Sequence, residues 1–156
     1  MDRLNLGCGG KRRSGHINLD IDSACGPDLV GDAFMLPFPD GKFGEVFADN
    51  VLEHLDERAI AEIGRVLSHG GRLRAIVPHC FGRAAYNDYT HRRFFNVNTF
   101  DSPPFSGFRL ESLVIHYSFW GGRVSFTLPK ALVAAHERLL PGILPPTHME
   151  AELVSL

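Results

Sequence analysis

A chain of 156 residues and 17.3 kDa is one domain long, enough to bury a core without disulfides or metals. Hydrophobic and charged fractions of 44% and 22% exclude extensive disorder. Sixteen Lys and Arg against eighteen Asp and Glu leave a net charge of −2, too weak a field to hold nucleic acid or an anionic membrane.

Three cysteines, Cys8, Cys25 and Cys80, form no Cys-x-x-Cys pair. That argues against a disulfide framework or a zinc module and suits a reducing compartment. Met1 runs into polar, glycine-rich sequence without the apolar core of a signal peptide, and no apolar run approaches the roughly 20 residues of a spanning helix. The expectation is a cytoplasmic, soluble, single domain over 1–156, without repeats or linkers.

In chain order, Leu4-Asn5-Leu6 runs into Gly7-Cys8-Gly9-Gly10, and residues 16–22 read HINLDID. Asp28-Leu29-Val30 stops at Gly31-Asp32, and the apolar stretch 45–48 stops at Asp49-Asn50. Short strands ending in polar turns are the mark of a parallel α/β sheet, whose ligands sit at the carboxyl ends of the strands. That edge gathers Gly7, Asp20, Asp32 and Asn50.

Asp56 caps a helix whose apolar face is Ala59, Ile60, Ile63, Val66 and Leu67, with Gly70-Gly71 as its end. Residues 72–77 then read as a buried strand closed by Pro78. Residues 81–95 have no clear period, and 108–119 read as a long strand interrupted by polar side chains. Pro129 suits the first turn of a helix through Leu140, with Leu132, Val133, His136 and Leu139 on one stripe and Pro141-Gly142 as its stop. Residues 149–154 alternate apolar and acidic, the pattern of an edge or antiparallel strand.

A Gly7-Cys8-Gly9 turn after a strand is either a plain tight turn or a place where a ligand meets backbone. A dinucleotide fingerprint requires a third glycine at position 12, where Arg12 stands, and no Gly-Lys-Ser/Thr phosphate loop is present. Asp20, ending the next strand, is placed to accept hydrogen bonds from two ribose hydroxyls.

The runs LNLGCGG, INLDID, GDAFMLPFPDGKFGEVFADNVLEHL and EIGRVLSHGGRLRAIVP, in that order and spacing, resemble class I S-adenosylmethionine-dependent methyltransferases over residues 4–78. The resemblance implies a Rossmann-like, mostly parallel sheet with an antiparallel C-terminal strand, and S-adenosylmethionine as cofactor. It implies that Gly7, Cys8 and Gly9 lie against the methionine part and ribose, that Asp20 takes the ribose hydroxyls and that Asp32 with Ala33 reads the adenine. Asn50 would border the sulfonium and amino group, and His54 would make a structural contact nearby. The implied activity is methyl transfer to a small molecule or glycan; the alternative is an inactive cofactor-binding partner subunit.

The chain departs from that family in its connections. Residues 10–15 are too few for a crossover helix, which normally takes a dozen or more residues, and the gaps after Asp22 and Gly31 are equally short or rich in Pro and Gly. Several sheet-covering helices are therefore expected to be missing. A sheet apolar on both faces would then need the 129–140 helix or a second subunit as cover, hence an expected homodimer.

Asp88-Tyr89-Thr90-His91 matches an Asp-x-Thr-His run that compact methyltransferases carry after the fifth strand. Here His91 is a candidate general base with Asp88 orienting its ring, or else part of a locally capped loop. Tyr86 and Tyr89 read as walls of an acceptor pocket or as core. His79 and Cys80, being adjacent on a strand, point apart and would chelate poorly with His91, so no metal site is expected.

Overall fold

The computed structural model describes residues 1–119, 122–127, 130–139 and 146–156. Five parallel strands come first in the sheet: β1 (Asp2–Leu6), β2 (Ile17–Asp20), β3 (Leu29–Val30), β4 (Phe43–Asp49) and β5 (Leu67–Pro78). Helix α1 (Glu57–Val66) joins β4 to β5, and a one-turn α2 (Ala84–Asn87) follows β5. A hairpin of β6 (Phe108–Phe119) and β7 (Gly122–Thr127), helix α3 (Lys130–Leu139) and β8 (Pro146–Ser155) complete the chain. The strand order is β3-β2-β1-β4-β5-β8-β6-β7, with β8 antiparallel to both β5 and β6. The expected Rossmann-like sheet is therefore present, and its C-terminal strand is interior rather than at an edge.

Two sequence expectations shift. Helix α1 begins as foreseen, with the Asp56 carboxylate accepting the Arg58 N–H at 2.9 Å, but it ends at Val66 instead of at Gly70-Gly71. Leu67 is extended and already pairs with Phe43. While β4 advances from Phe43 to Glu45, β5 advances from Leu67 to Arg72, and Gly70, at φ 74°, absorbs the excess. In α3, Leu132 is 57% exposed rather than on a buried stripe; Pro129, Leu140 and Pro141-Gly142 lie outside the described residues, as do the side chains of Val133, His136 and Leu139.

The sheet has two unlike faces. On one, Leu4, Leu6, Val46, Ala48, Leu73, Ala75, Val77, Met149, Ala151 and Leu153 are buried under α1 and a chain of rings, Phe95, Phe100, Phe105 and Phe108. Each fully buried Leu, Val, Met or Phe among these contributes about 1.5–3 kcal/mol, so this is where stability resides.

The register places Arg3, Asn5, Asn18, Glu45, Phe47, Arg72, Arg74, Glu150 and Glu152 on the other face. Arg74 pairs with Glu150 at 2.8 Å, Arg72 with Glu152 at 3.1 Å and His16 with Glu45 at 3.1 Å. The Arg13 guanidinium covers the Phe47 ring at 3.8 Å. Such half-exposed pairs are individually worth about 0–1 kcal/mol; their effect is to make the face compatible with water. The sheet is thus not apolar on both sides, and the physical reason for expecting a second subunit is absent from this face among the described residues.

Between β1 and β2 a loop stands where a crossover helix was expected to be missing. It is held by two buried amides. Asn5 Nδ2 donates to Asn18 Oδ1 at 2.8 Å, and the same oxygen accepts the Arg13 N–H at 2.7 Å. Asp28 accepts both the backbone N–H and the Nδ2 of Asn18, at 2.9 and 2.7 Å, and pairs with Arg12. Buried side-chain amides thus supply the rigidity a helix would have given.

Candidate functional site

The carboxyl ends of β1, β2, β3 and β4 surround a cleft of about 280 Å³ lined by Gly7, Asp20, Asp32, Ala33, Asn50 and His54 with the apolar side chains of Leu6, Leu19, Val51 and Leu55. A wider hollow of about 500 Å³, between Phe100, Phe105 and Leu156, lies at the opposite end of the sheet and gathers none of these residues.

Local geometry explains each position. Gly7 has φ 60°, and a Cβ there would stand 2.6 Å from Val51 Cγ2, so only glycine lets the chain turn against Val51. Gly9, at φ 48°, donates its N–H to Asp20 Oδ2 at 2.7 Å, and Asp20 Oδ1 accepts the Asp22 N–H at 2.9 Å. One backbone bond on each oxygen fixes the carboxylate and leaves further lone pairs facing the cleft. Asp32 accepts the Phe34 N–H at 2.9 Å, an Asx turn that presents Ala33. Asn50 is the one described non-glycine residue in the left-handed region, at φ 55°; its N–H reaches Ile76 O at 2.8 Å and its Nδ2 reaches Asp49 Oδ1 at 2.7 Å.

Cys8 faces elsewhere. Its N–H bonds Leu19 O at 3.1 Å, and its side chain lines a separate hollow on the polar face with Asn5, Lys11 and Arg13. Burial, and after it the Asp20 charge, push the thiol above its usual range, so it is no reactive thiolate.

Next to the cleft stands a cluster that the sequence reading did not assemble. The Leu52–His54 turn after β4 carries Glu53 and His54, and His91 approaches from the loop after α2. The His54 and His91 rings meet edge to face at 4.7 Å, and His91 Nε2 lies 3.9 Å from Glu53 Oε1. The two loops are stitched together, since Arg92 and Arg93 donate their N–H groups to Glu53 O at 2.8 and 3.1 Å.

Glu53 is 1% exposed, and neither carboxylate oxygen has a hydrogen-bond partner. Burial pushes its pKa up to about 7 against the opposing effects of its own nearby backbone N–H and of His91.

The expected Asp88–His91 pair is not what forms. Asp88 Oδ1 accepts the Thr90 N–H at 2.8 Å and its hydroxyl at 2.6 Å, and Thr90 Oγ1 contacts His54 Nδ1 at 2.9 Å. With the hydroxyl proton given to Asp88, His54 donates Nδ1–H to Thr90. Asp88 therefore orients His54 through Thr90. The His91 ring is oriented instead by the Ala85 carbonyl, 3.0 Å from Nδ1.

Tyr86 stacks on Phe94 at 5.1 Å and, with Tyr89, is exposed, so neither is core. His79 is buried with Nε2 2.6 Å from Glu137 of α3, and Nδ1 accepts the Phe81 N–H at 3.1 Å, which occupies both ring nitrogens.

A family profile described as a methyltransferase domain matches residues 11–75. A SAM-dependent methyltransferase from Thermotoga maritima superposes with a TM-score of 0.69 at 18% identity, covering 99% of this chain and 82% of its own. One from Archaeoglobus fulgidus gives 0.69 at 17%, covering 99% and 86%. The chain has the class I methyltransferase fold. The cyclase SpnF shares this fold, with a TM-score of 0.67 at 17% identity over 99% of this chain and 75% of that one. No curated protein sequence gives a significant match.

The two methyltransferase neighbours are SAM-dependent, and the chemistry of the cleft fits S-adenosylmethionine. The fixed Asp20 carboxylate suits a vicinal diol, the apolar walls suit an adenine, and no Lys or Arg is among the described residues lining the cleft. A phosphate-free, positively charged molecule needs none.

Of the cofactor-site residues expected from the sequence, the structure brings Gly7, Asp20, Asp32, Ala33 and Asn50 to one cleft, sets Gly9 against Asp20 and puts Cys8 in a separate hollow. Glu53 was the residue missed. Its signal was a lone acid in the apolar run Val51-Leu52-Glu53-His54-Leu55.

Proposed function

We propose that the chain transfers a methyl group from S-adenosylmethionine to a small molecule or glycan. The observation that carries this reading is the Asp20 carboxylate, held by Gly9 and Asp22 at the mouth of a cleft that also collects Gly7, Asp32 and Asn50. Asp20 would bind the ribose hydroxyls, Asp32 with Ala33 the adenine edge, and Gly7 with Asn50 the methionine end.

The bound cofactor supplies an activated methyl on sulfonium. The chain's task is to align the acceptor and exclude water, and proximity of this kind can contribute about 7–11 kcal/mol. His54, on the cleft wall, is the side chain placed to meet an acceptor, while Asp88 acts through Thr90 to hold it. Nothing in the composition supports a nucleic-acid acceptor, and among the described residues no helix is long and apolar enough to cross a membrane.

Calorimetric titration of S-adenosylmethionine and of its demethylated product into the wild type and Asp20→Ala tests the reading. Loss of the charge-assisted hydrogen bonds should weaken binding by about 1.5–3 kcal/mol, ten- to a hundredfold. Absence of binding to the wild type would overturn it. Cofactor binding without turnover on any acceptor would favour an inactive partner subunit.

A further inference from the structure

We propose that Glu53, His54 and His91 bind one divalent transition-metal ion at the rim of the cofactor cleft. One ligand atom from each lies within 4.8 Å of the others, and the His91–Glu53 approach is already 3.9 Å. Ligands about 2.0–2.1 Å from zinc in tetrahedral array stand about 3.4 Å apart, so a small closure completes the geometry.

Three independent features point the same way. Glu53 carries two buried carboxylate oxygens with no hydrogen-bond partner, and Oε1 faces His91 Nε2 at 3.9 Å. Both rings are held from behind. His54 Nδ1 bonds Thr90, itself bonded to Asp88, and His91 Nδ1 meets the Ala85 carbonyl, which leaves Nε2 of each ring as its acceptor nitrogen. A ring N–H given to a carbonyl or to a carboxylate-backed hydroxyl is the usual outer shell of a metal-bound histidine. Finally, the two loops are joined by the paired bonds of Arg92 and Arg93 to Glu53 O, which holds the two ligand-bearing backbones together before an ion arrives and leaves the side chains to close on it.

Two histidines and one carboxylate leave at least one coordination position open. His54 lines the cofactor cleft, so that position faces the place of the methyl acceptor. An oxygen of the acceptor is the ligand class that fits it, which makes a hydroxyl-bearing acceptor the preferred substrate; this last step rests on the methyl-transfer reading, whereas the ion site does not.

The test is titration of chelator-stripped full chain with Zn²⁺ by calorimetry and with Co²⁺ by visible absorption, with S-adenosylmethionine binding measured on the same samples. The expected result is one ion per chain, with a cobalt spectrum of nitrogen and oxygen ligation. Glu53→Gln and His91→Ala should each weaken metal binding about a hundredfold or more with cofactor binding retained. Asp20→Ala should do the reverse, so failure of the metal site and failure of the cofactor reading are distinguishable. Should a variant not fold, the wild-type stoichiometry and cobalt spectrum decide alone. No stoichiometric binding by the wild type, or binding unaffected by both variants, would overturn the proposal and leave Glu53 and His91 as a buried ion pair.

Discussion

Gly7 and Val51 occupy the ends of different strands and approach so closely that one added methyl on Gly7 would stand 2.6 Å from a methyl of Val51. Both residues line the cleft at the carboxyl ends of the strands. Gly7→Ala meets two penalties there, the left-handed backbone at about 1–2 kcal/mol and overpacking at about 1–3 kcal/mol. The melting temperature should fall, by about 2–4 °C per kcal/mol for a chain of this size, and cofactor affinity with it. Adding Val51→Ala should recover the packing part but not the backbone part, which a double-mutant cycle in thermal denaturation will separate.

Asn18 is expected to be as important as any core leucine to the β1–β2 loop. Its oxygen satisfies Arg13 N–H and Asn5, and its amide satisfies Asp28. Asn18→Leu keeps the branched shape and orphans buried polar groups at about 1–3 kcal/mol each. Hydrogen exchange should show protection lost first in residues 8–16. Unchanged exchange there would contradict the assignment of the amides as the loop's support.

Acid should weaken the connection between α1 and the loop that joins β3 to β4. Arg65 first, and then the Leu36 N–H, hold the Glu62 carboxyl below its ordinary range, with burial opposing. A folded pKa below the unfolded one means that the contribution is complete above the unfolded value of about 4.3 and is lost as pH falls through the folded value. Denaturant midpoints should therefore drop more steeply on acidification in the wild type than in Glu62→Gln.

The polar face predicts the behaviour of its own disruption. Replacing Glu150 and Glu152 by Val would join Ile76, Val114 and Val154 into an apolar surface, taking from Arg74 its Glu150 partner and leaving Arg72 only Glu111 at 4.0 Å. Light scattering of that double variant should show association that the wild type does not show through this face. Equal masses for the two proteins would count against the ladder's role.

Much of this was legible in the sequence. Strands announced themselves as apolar runs cut off by glycine and acid, and their spacing put Asp20, Asp32 and Asn50 at one edge. The alternation in β8 revealed an antiparallel strand, but its interior place was hidden, because Glu150 and Glu152 look like edge residues until Arg72 and Arg74 are seen opposite them. The end of α1 was misread because Gly70 resembles a helix stop and serves a bulge instead. The Asp88–His91 pairing failed for another reason. Adjacency along the chain suggested it, whereas Thr90 turns to His54, 36 positions away, a contact that only the fold creates.

The interior position of β8 has a kinetic meaning. Among the described residues the β6–β7 hairpin pairs with the rest of the sheet only by way of β8, so it cannot dock until a segment made after it has already been laid against β5. The first five strands can assemble from neighbouring sequence, while the second part of the sheet must wait for a contact that closes a long loop, the kind of step that slows folding. Until that strand inserts, the free edge of β5 and the hairpin beside it are both open to wrong partners. The last strand is thus a latch, and the time before it closes is when the chain is most exposed to misassembly.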